Sequence, residues 1–245
     1  MTATSVLLGA FLGSSLIVVS CSPAASQSLT GSTETEVWPE VDAHVQLPYG
    51  WRMLSFVGVE QGVNYPFQQW YGALGIGYQF KPILRPHVEN IDRDREHYLL
   101  IGVGYNYLRT TQSGKVFDEN RITFDLTPNM RLTSSVLVRD RNWVELRWIN
   151  GIYSTTYRNM PFLEADFQVH GVRFSPYGSA EFFYNGVGSG KYSWDSTWYT
   201  AGIEWPYKYV FMLNTYYRRE HCSSCVPINW NVAGVSLNFF FRNKK

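Results

Sequence analysis

The sequence predicts an all-β fold: a single antiparallel up-and-down transmembrane β-barrel of about twelve strands, with about ten as the next choice. Three observations predict it. Apolar and polar residues alternate with a period of two along most of the chain, the signature of strands with two different faces. An uncharged apolar stretch followed by small residues at the N-terminus reads as an export signal. Several long connections alternate with short turns, as in barrels with long outer loops and tight periplasmic turns.

The first element is the apolar run Val6–Val19. At ~1.5 Å per residue it reaches about 20 Å, short of the roughly 30 Å hydrocarbon core of a bilayer. The small-residue region Cys21–Gln27 follows, with Ala24 and Ser26 placed for cleavage that leaves Gln27 as the new N-terminus. Residues 1–26 are therefore read as a signal peptide and residues 27–245 as the barrel domain. No Lys or Arg precedes the apolar run, which departs from the usual signal. Val18-Val19-Ser20-Cys21 supports a second reading, in which Cys21 becomes a lipidated first residue.

Strand-like segments begin near Glu36, Trp51, Trp70, His97, Arg121, Asn142, Thr155, Val172, Thr197, Tyr207 and Trp230. Eleven is odd, and single-chain bacterial barrels have even strand numbers, so a further short strand is expected in Gln27–Trp38. Alternation is clearest in Arg121–Leu132, where Ile122, Phe124, Leu126, Met130 and Leu132 oppose Arg121, Thr123, Asp125, Thr127, Asn129 and Arg131. It recurs around Val144–Trp148, Leu163–Val169, Phe174–Tyr184, Tyr199–Trp205, Tyr209–Tyr217 and Val235–Phe241. It blurs in Trp51–Gln61. Pro39, Pro128, Pro161 and Pro176 fall within segments and imply bulges or rim positions. Long connections are expected at Lys81–Glu96, Asn185–Ser196 and Glu220–Asn229, and short ones at His170-Gly171 and Pro206–Lys208.

Alternation alone does not choose the solvent, because a soluble barrel shows the same pattern with its faces exchanged. The aromatic content, 17% of residues, favours girdles at two membrane interfaces, and so do the export signal and the aromatic last strand. The charged face then points into the lumen. It carries Arg121, Asp125, Arg131, Glu145, Arg147, Arg158, Glu164, Asp166, Arg173, Glu181, Glu204 and Arg218. Two readings stay open: mutually paired charges packing a closed interior, or the lining of a narrow porin-like pore. Gly75, Gly77, Gly102 and Gly104 share the inward parity and leave local space.

Charge is balanced, at 21 Lys+Arg against 20 Asp+Glu, which argues against a nucleic-acid partner. With Cys21 removed, Cys222 and Cys225 remain as an even pair, and a local disulfide is the default in an oxidising compartment. No third or fourth metal ligand accompanies His221, and no cofactor is expected. Among His44, His87, His97, His170 and His221, the pair His170–Ser175 comes nearest to an acyl-hydrolase arrangement. The expected protein is not an enzyme. A lipid-modifying acyl hydrolase or transferase and a soluble exported barrel binding an apolar ligand are the alternatives. The expected location is the bacterial outer membrane, with its lipids and the barrel-assembly machinery as partners.

Val138–Arg147 is followed by Tyr157-Arg158-Asn159, Pro176–Tyr184, Tyr199–Trp205 and Tyr216–Arg219. This succession resembles an uncharacterised family of exported bacterial barrels defined as a domain of unknown function. The resemblance spans roughly Trp38 to Phe241 and is strongest from Arg121 onward. It implies an outer-membrane barrel and supplies no activity.

Overall fold

The computed structural model describes residues 33–80, 98–133, 135–186, 192–207, 210–222 and 229–242. Their strands, in chain order, are β1 (Thr33–Gln46), β2 (Trp51–Gly62), β3 (Phe67–Phe80), β4 (Leu99–Gln112), β5 (Lys115–Arg131), β6 (Val136–Ile149), β7 (Ile152–Ala165), β8 (Phe167–Val169), β9 (Val172–Gly186), β10 (Tyr192–Tyr207), β11 (Phe211–Cys222) and β12 (Asn229–Arg242). Each wall strand pairs antiparallel with the next, and β7 pairs directly with β9. β12 returns to β1, so eleven of the described strands close into a barrel. The remaining strand, β8, pairs with the start of β9 as a short hairpin beside the wall.

The closing seam is parallel, from Thr33↔Asn229 to Gln46↔Arg242 along the whole of both strands. Parallel closure follows from the odd number: each hairpin reverses the chain, so the first and last of eleven wall strands run the same way. The eleven segments read from the sequence correspond one to one with the wall strands. The twelfth strand is β8 rather than an extra strand in Gln27–Trp38, whose described part belongs to β1.

Two-residue turns join β4 to β5 at Ser113-Gly114, β6 to β7 at Asn150-Gly151 and β8 to β9 at His170-Gly171. Both residues of each turn have positive φ, 48–50° at the first and 78–83° at the glycine. This is the type I′ geometry, whose twist matches that of the flanking strands. A regular alternation of long and short connections is not observed. The tight turns 113–114 and 150–151 lie at the same end of the barrel as the longer connections 187–191 and 223–228. Strands that continue to Gly186 and Cys222 absorb much of what the sequence presents as loop.

Three of the prolines are not accompanied by the expected bulge. Pro39, Pro128 and Pro161 each interrupt a ladder, between Val37 and Glu40, Leu126 and Asn129, and Asn159 and Phe162, without changing its register. A missing N–H removes a bond, and an outward-facing proline ring needs no extra residue in the strand. A register shift is found instead in the β9–β10 pairing, between Trp194 and Ser196.

Candidate functional site: a charged interior within an apolar wall

The wall strands bury one face and expose the other. On β1, Glu34, Glu36, Trp38 and Asp42 are buried and Glu40 half-buried, while Val37, Pro39 and Val41 are exposed. On β5 to β9 the buried set includes Glu119, Thr127, Asn129, Glu145, Thr156, Glu164, Ser175 and Glu181. A buried carboxylate is costly unless paired and hydrogen-bonded. The interior supplies such partners.

One network runs across β5, β6, β7 and β9. Arg121 donates from Nε to Glu119 at 2.9 Å and from Nη1 to Glu145 at 3.1 Å. Arg147 holds both oxygens of Glu119, at 2.6 and 3.0 Å, and also donates to Thr156. Arg158 links Glu145, at 2.8 Å from Nη1, to Glu181, at 2.8 Å from Nε. Thr156 passes its hydroxyl proton to Asn185 at 2.8 Å. A second group joins Arg141 Nε to Asp125 at 2.9 Å, with Thr127 donating to the same carboxylate.

Aromatic rings carry these charges across the barrel. Arg158 lies 4.3 Å from the Trp143 ring centre and 4.6 Å from that of Phe183. Phe183 packs on Trp198 at 4.3 Å, and Trp198 meets Trp38 edge-on at 5.8 Å. Arg218 lies over both tryptophans, at 4.8 Å from Trp38 and 4.6 Å from Trp198. Cations on ring faces are stabilised by the ring quadrupole, more so when desolvated. A layer of rings and guanidiniums thus extends inside the barrel from β6 to β1.

Three inward tyrosines lie on glycines of an adjacent strand: Tyr71 on Gly58, Tyr177 on Gly202 and Tyr216 on Gly234. Two of their hydroxyls reach polar partners, Tyr71 to Glu40 at 2.8 Å and Tyr177 to Asn214 at 3.0 Å. Covering a glycine with a cross-strand ring replaces packing that the glycine lacks. In the 63–66 connection, Tyr65 donates to Glu36, and burial pushes its phenol well above the ordinary range.

Of the charged residues singled out in the sequence, Arg121, Glu145, Arg147, Arg158 and Glu181 share the first network. Asp125 binds Arg141, and Arg218 lies over the tryptophans with Glu220 3.9 Å away. Arg131 and Asp166 are 3.9 Å apart; Asp166 sits between β7 and β8 and accepts from Ser175 at 2.7 Å. Glu164 and Glu204 are buried on β7 and β10, and Arg173 is half-buried opposite Gln168 on the hairpin. Gly75 pairs with Gly104 and Gly77 with Gly102, a patch bare of side chains on adjoining strands. The sequence reading missed the acidic face of β1, together with Arg52, Glu60, Glu119, Arg139, Arg141 and Glu220. The signal was present: Glu34, Glu36, Glu40 and Asp42 fall on one parity of Thr33–Gln46, with Val37, Val41 and Val45 on the other.

The outer face is apolar and aromatic. Leu74, Ile76, Ile101, Val103, Phe124, Leu126, Leu163, Val235 and Leu237 are exposed along it. Near one end, rings follow one another from strand to strand: Phe167–Phe174, Phe174–Trp205, Tyr207–Phe211 and Phe211–Phe239, with centroids 5.0–6.3 Å apart. Trp51, Tyr78 and Phe80 extend the same rim on β2 and β3. Trp148 and Tyr153 pack together near the other end.

Cys222 is disulfide-bonded. Cys21, Cys225, His87, His97 and the leader residues 1–26 lie outside the described residues. His170 occupies the β8–β9 turn, whereas Ser175 hydrogen bonds Asp166. His44 stacks on Phe240, and His221 stacks on Trp194. Among the described residues no cluster of three or more His, Cys, Asp or Glu is placed to hold a metal ion.

Fold and faces together define a class: a closed, mostly antiparallel β-barrel that buries a network of charges and exposes large apolar side chains. Within that class the chain belongs to the family described as protein of unknown function (DUF2490), whose model matches residues 35–224. Neither curated proteins nor solved structures provide a match.

Proposed function

We propose that this protein is an outer-membrane β-barrel whose interior is a closed, charge-packed scaffold. The observation that carries the reading is the inversion of faces, with glutamates and arginines inside and Leu74, Ile76, Phe124 and Leu126 outside. Soluble monomers rarely expose contiguous apolar surface beyond a few hundred Å². A lipid environment removes that cost, and the aromatic rims fit the headgroup levels. At about 3.3 Å per residue, a fourteen-residue strand tilted about 40° rises roughly 35 Å, enough to cross a membrane. The cation–aromatic layer supports a closed interior over a pore.

Export by the leader at residues 1–26 belongs to this reading, giving Gln27 or a lipidated Cys21 as the mature N-terminus. Outer-membrane lipids and the barrel-assembly machinery are the partners it implies. Membrane fractionation with heat-modifiable gel migration tests it. A membrane-bound band that shifts on boiling is expected, and a soluble periplasmic protein that never shifts overturns the reading. Planar-bilayer recording then tests closure: no steady channel events are expected, and an ion-selective conductance returns the narrow pore.

A further inference from the structure

Outward polar groups such as Arg219 with Asn231 and Arg109 with Asp118 gather toward the 113–114 end of the wall, whereas one polar island lies nearer the opposite end, among apolar residues. On β6 the outward residues run Val136, Val138, Asp140, Asn142, Val144 and Leu146, so a carboxylate and an amide sit between apolar neighbours. Across the ladder, Asn142 is paired with Asn159, which faces outward on β7. Leu126 on β5 and Phe182 on β9 flank the pair on either side. The island is bonded within itself. Asn159 Nδ2 donates to Asp140 at 2.7 Å and to Asn142 at 3.0 Å. Asn142 Nδ2 donates back to Asp140 at 3.3 Å, and Tyr157 donates to Asn142 at 2.7 Å.

These bonds consume the island's donors and leave acceptors. Both amide hydrogens of Asn159 are used, as is the Tyr157 hydroxyl proton. Asp140 accepts two side-chain bonds, which leaves lone pairs and a negative charge. No salt bridge to Asp140 occurs among the described residues. An ionisable group in hydrocarbon is expensive and marks a functional surface when it persists.

We propose that Asp140, Asn142 and Asn159 form a docking surface for a membrane-embedded protein segment that presents a cationic side chain. The inference rests on the membrane reading above. A cation supplies what the island lacks, and apolar residues on every side suit a segment that is itself in lipid. Lipid headgroups lie beyond the valines and leucines that bracket the island along β6. A second copy of this chain would set acceptors against acceptors and Asp140 against Asp140.

The test uses the full-length barrel in phosphatidylcholine vesicles, with a leucine-rich transmembrane peptide carrying one central arginine as probe. Energy transfer measures association. The arginine peptide is expected to bind wild type about tenfold more tightly than it binds Asp140→Asn. An all-leucine peptide is expected to show no discrimination. Equal binding of the arginine peptide to both barrels overturns the proposal. So does a wild-type homodimer abolished by Asp140→Asn, which makes a second copy the occupant. Loss of heat-modifiable migration in Asp140→Asn assigns the island a structural role and overturns it as well. Flotation separates the two readings: a barrel that does not float with the vesicles defeats the membrane reading, and one that floats without discriminating defeats this inference alone.

Discussion

The phenol ring of Tyr216 occupies the space in which Gly234, its cross-strand partner, would carry a side chain. A methyl at Gly234 must push the ring off the wall, where Tyr216 packs beside Arg218 at 5.3 Å. Gly234→Ala is expected to lower barrel stability by about 1–3 kcal/mol through overpacking. In a Tyr216→Ala background the same change should cost much less, because the ring is gone. Urea-unfolding midpoints of the four proteins in this cycle measure the coupling, and additive effects would show that ring and glycine do not compete.

Arg158 is the branch point of the interior network, held between Glu145 and Glu181 and against two aromatic rings. Replacing it by alanine leaves the Glu181 carboxylate buried without these bonds. Removing one partner of a buried pair typically costs about 3–5 kcal/mol, more than the pair itself contributes. Arg158→Ala should therefore be strongly destabilised, and Arg158→Ala with Glu181→Gln should recover part of the loss. Denaturation midpoints decide it. A double variant no better than the single would place the cost in the lost ring packing.

The presence of each wall strand was legible because a strand with two unlike faces writes its period into the residues, although β5, β6 and β10 begin five or six residues before the positions read from the sequence. Arg121–Leu132 shows this well. Trp51–Gln61 does not, because β2 turns Leu54, Phe56 and Gly58 inward with Arg52 and Glu60, and both faces become apolar. The acidic face of β1 was equally periodic, yet Trp38 in its midst disguised the parity. Strand count posed a different problem. Local pattern yields eleven segments, whereas closure is a property of all of them together, and the seam joins residues almost two hundred positions apart. The outer island was hidden for a related reason: Asp140 and Asn159 look like interior residues until the register assigns their face.

Cys222 ends β11, and β12 begins at Asn229. A bond to Cys225 would close a small loop at the barrel end. Cys225→Ser is then expected to make the Cys222 thiol available to alkylation in denaturant without prior reduction, read by mass spectrometry, since Cys222 is buried in the fold. A Cys222 that stays blocked in this variant has another partner.

The seam between β1 and β12 makes the sharpest claim about the wall. Val41 is paired with Leu237 and Pro39 with Val235, all facing outward, in a parallel ladder that fixes both direction and register. Cysteines at paired positions have Cα atoms close enough to bridge, which usually requires about 4.4–6.8 Å. Cysteines four residues out of register are separated by about 13 Å along the strand. Val41→Cys with Leu237→Cys should cross-link readily under mild oxidation, whereas Val41→Cys with Phe241→Cys should cross-link far less. An antiparallel seam with a twelfth wall strand between β12 and β1 would hold Val41 and Leu237 about 9.5 Å apart, and neither pair would bridge. Non-reducing mass analysis of the folded barrel therefore distinguishes an eleven-strand wall from an even one.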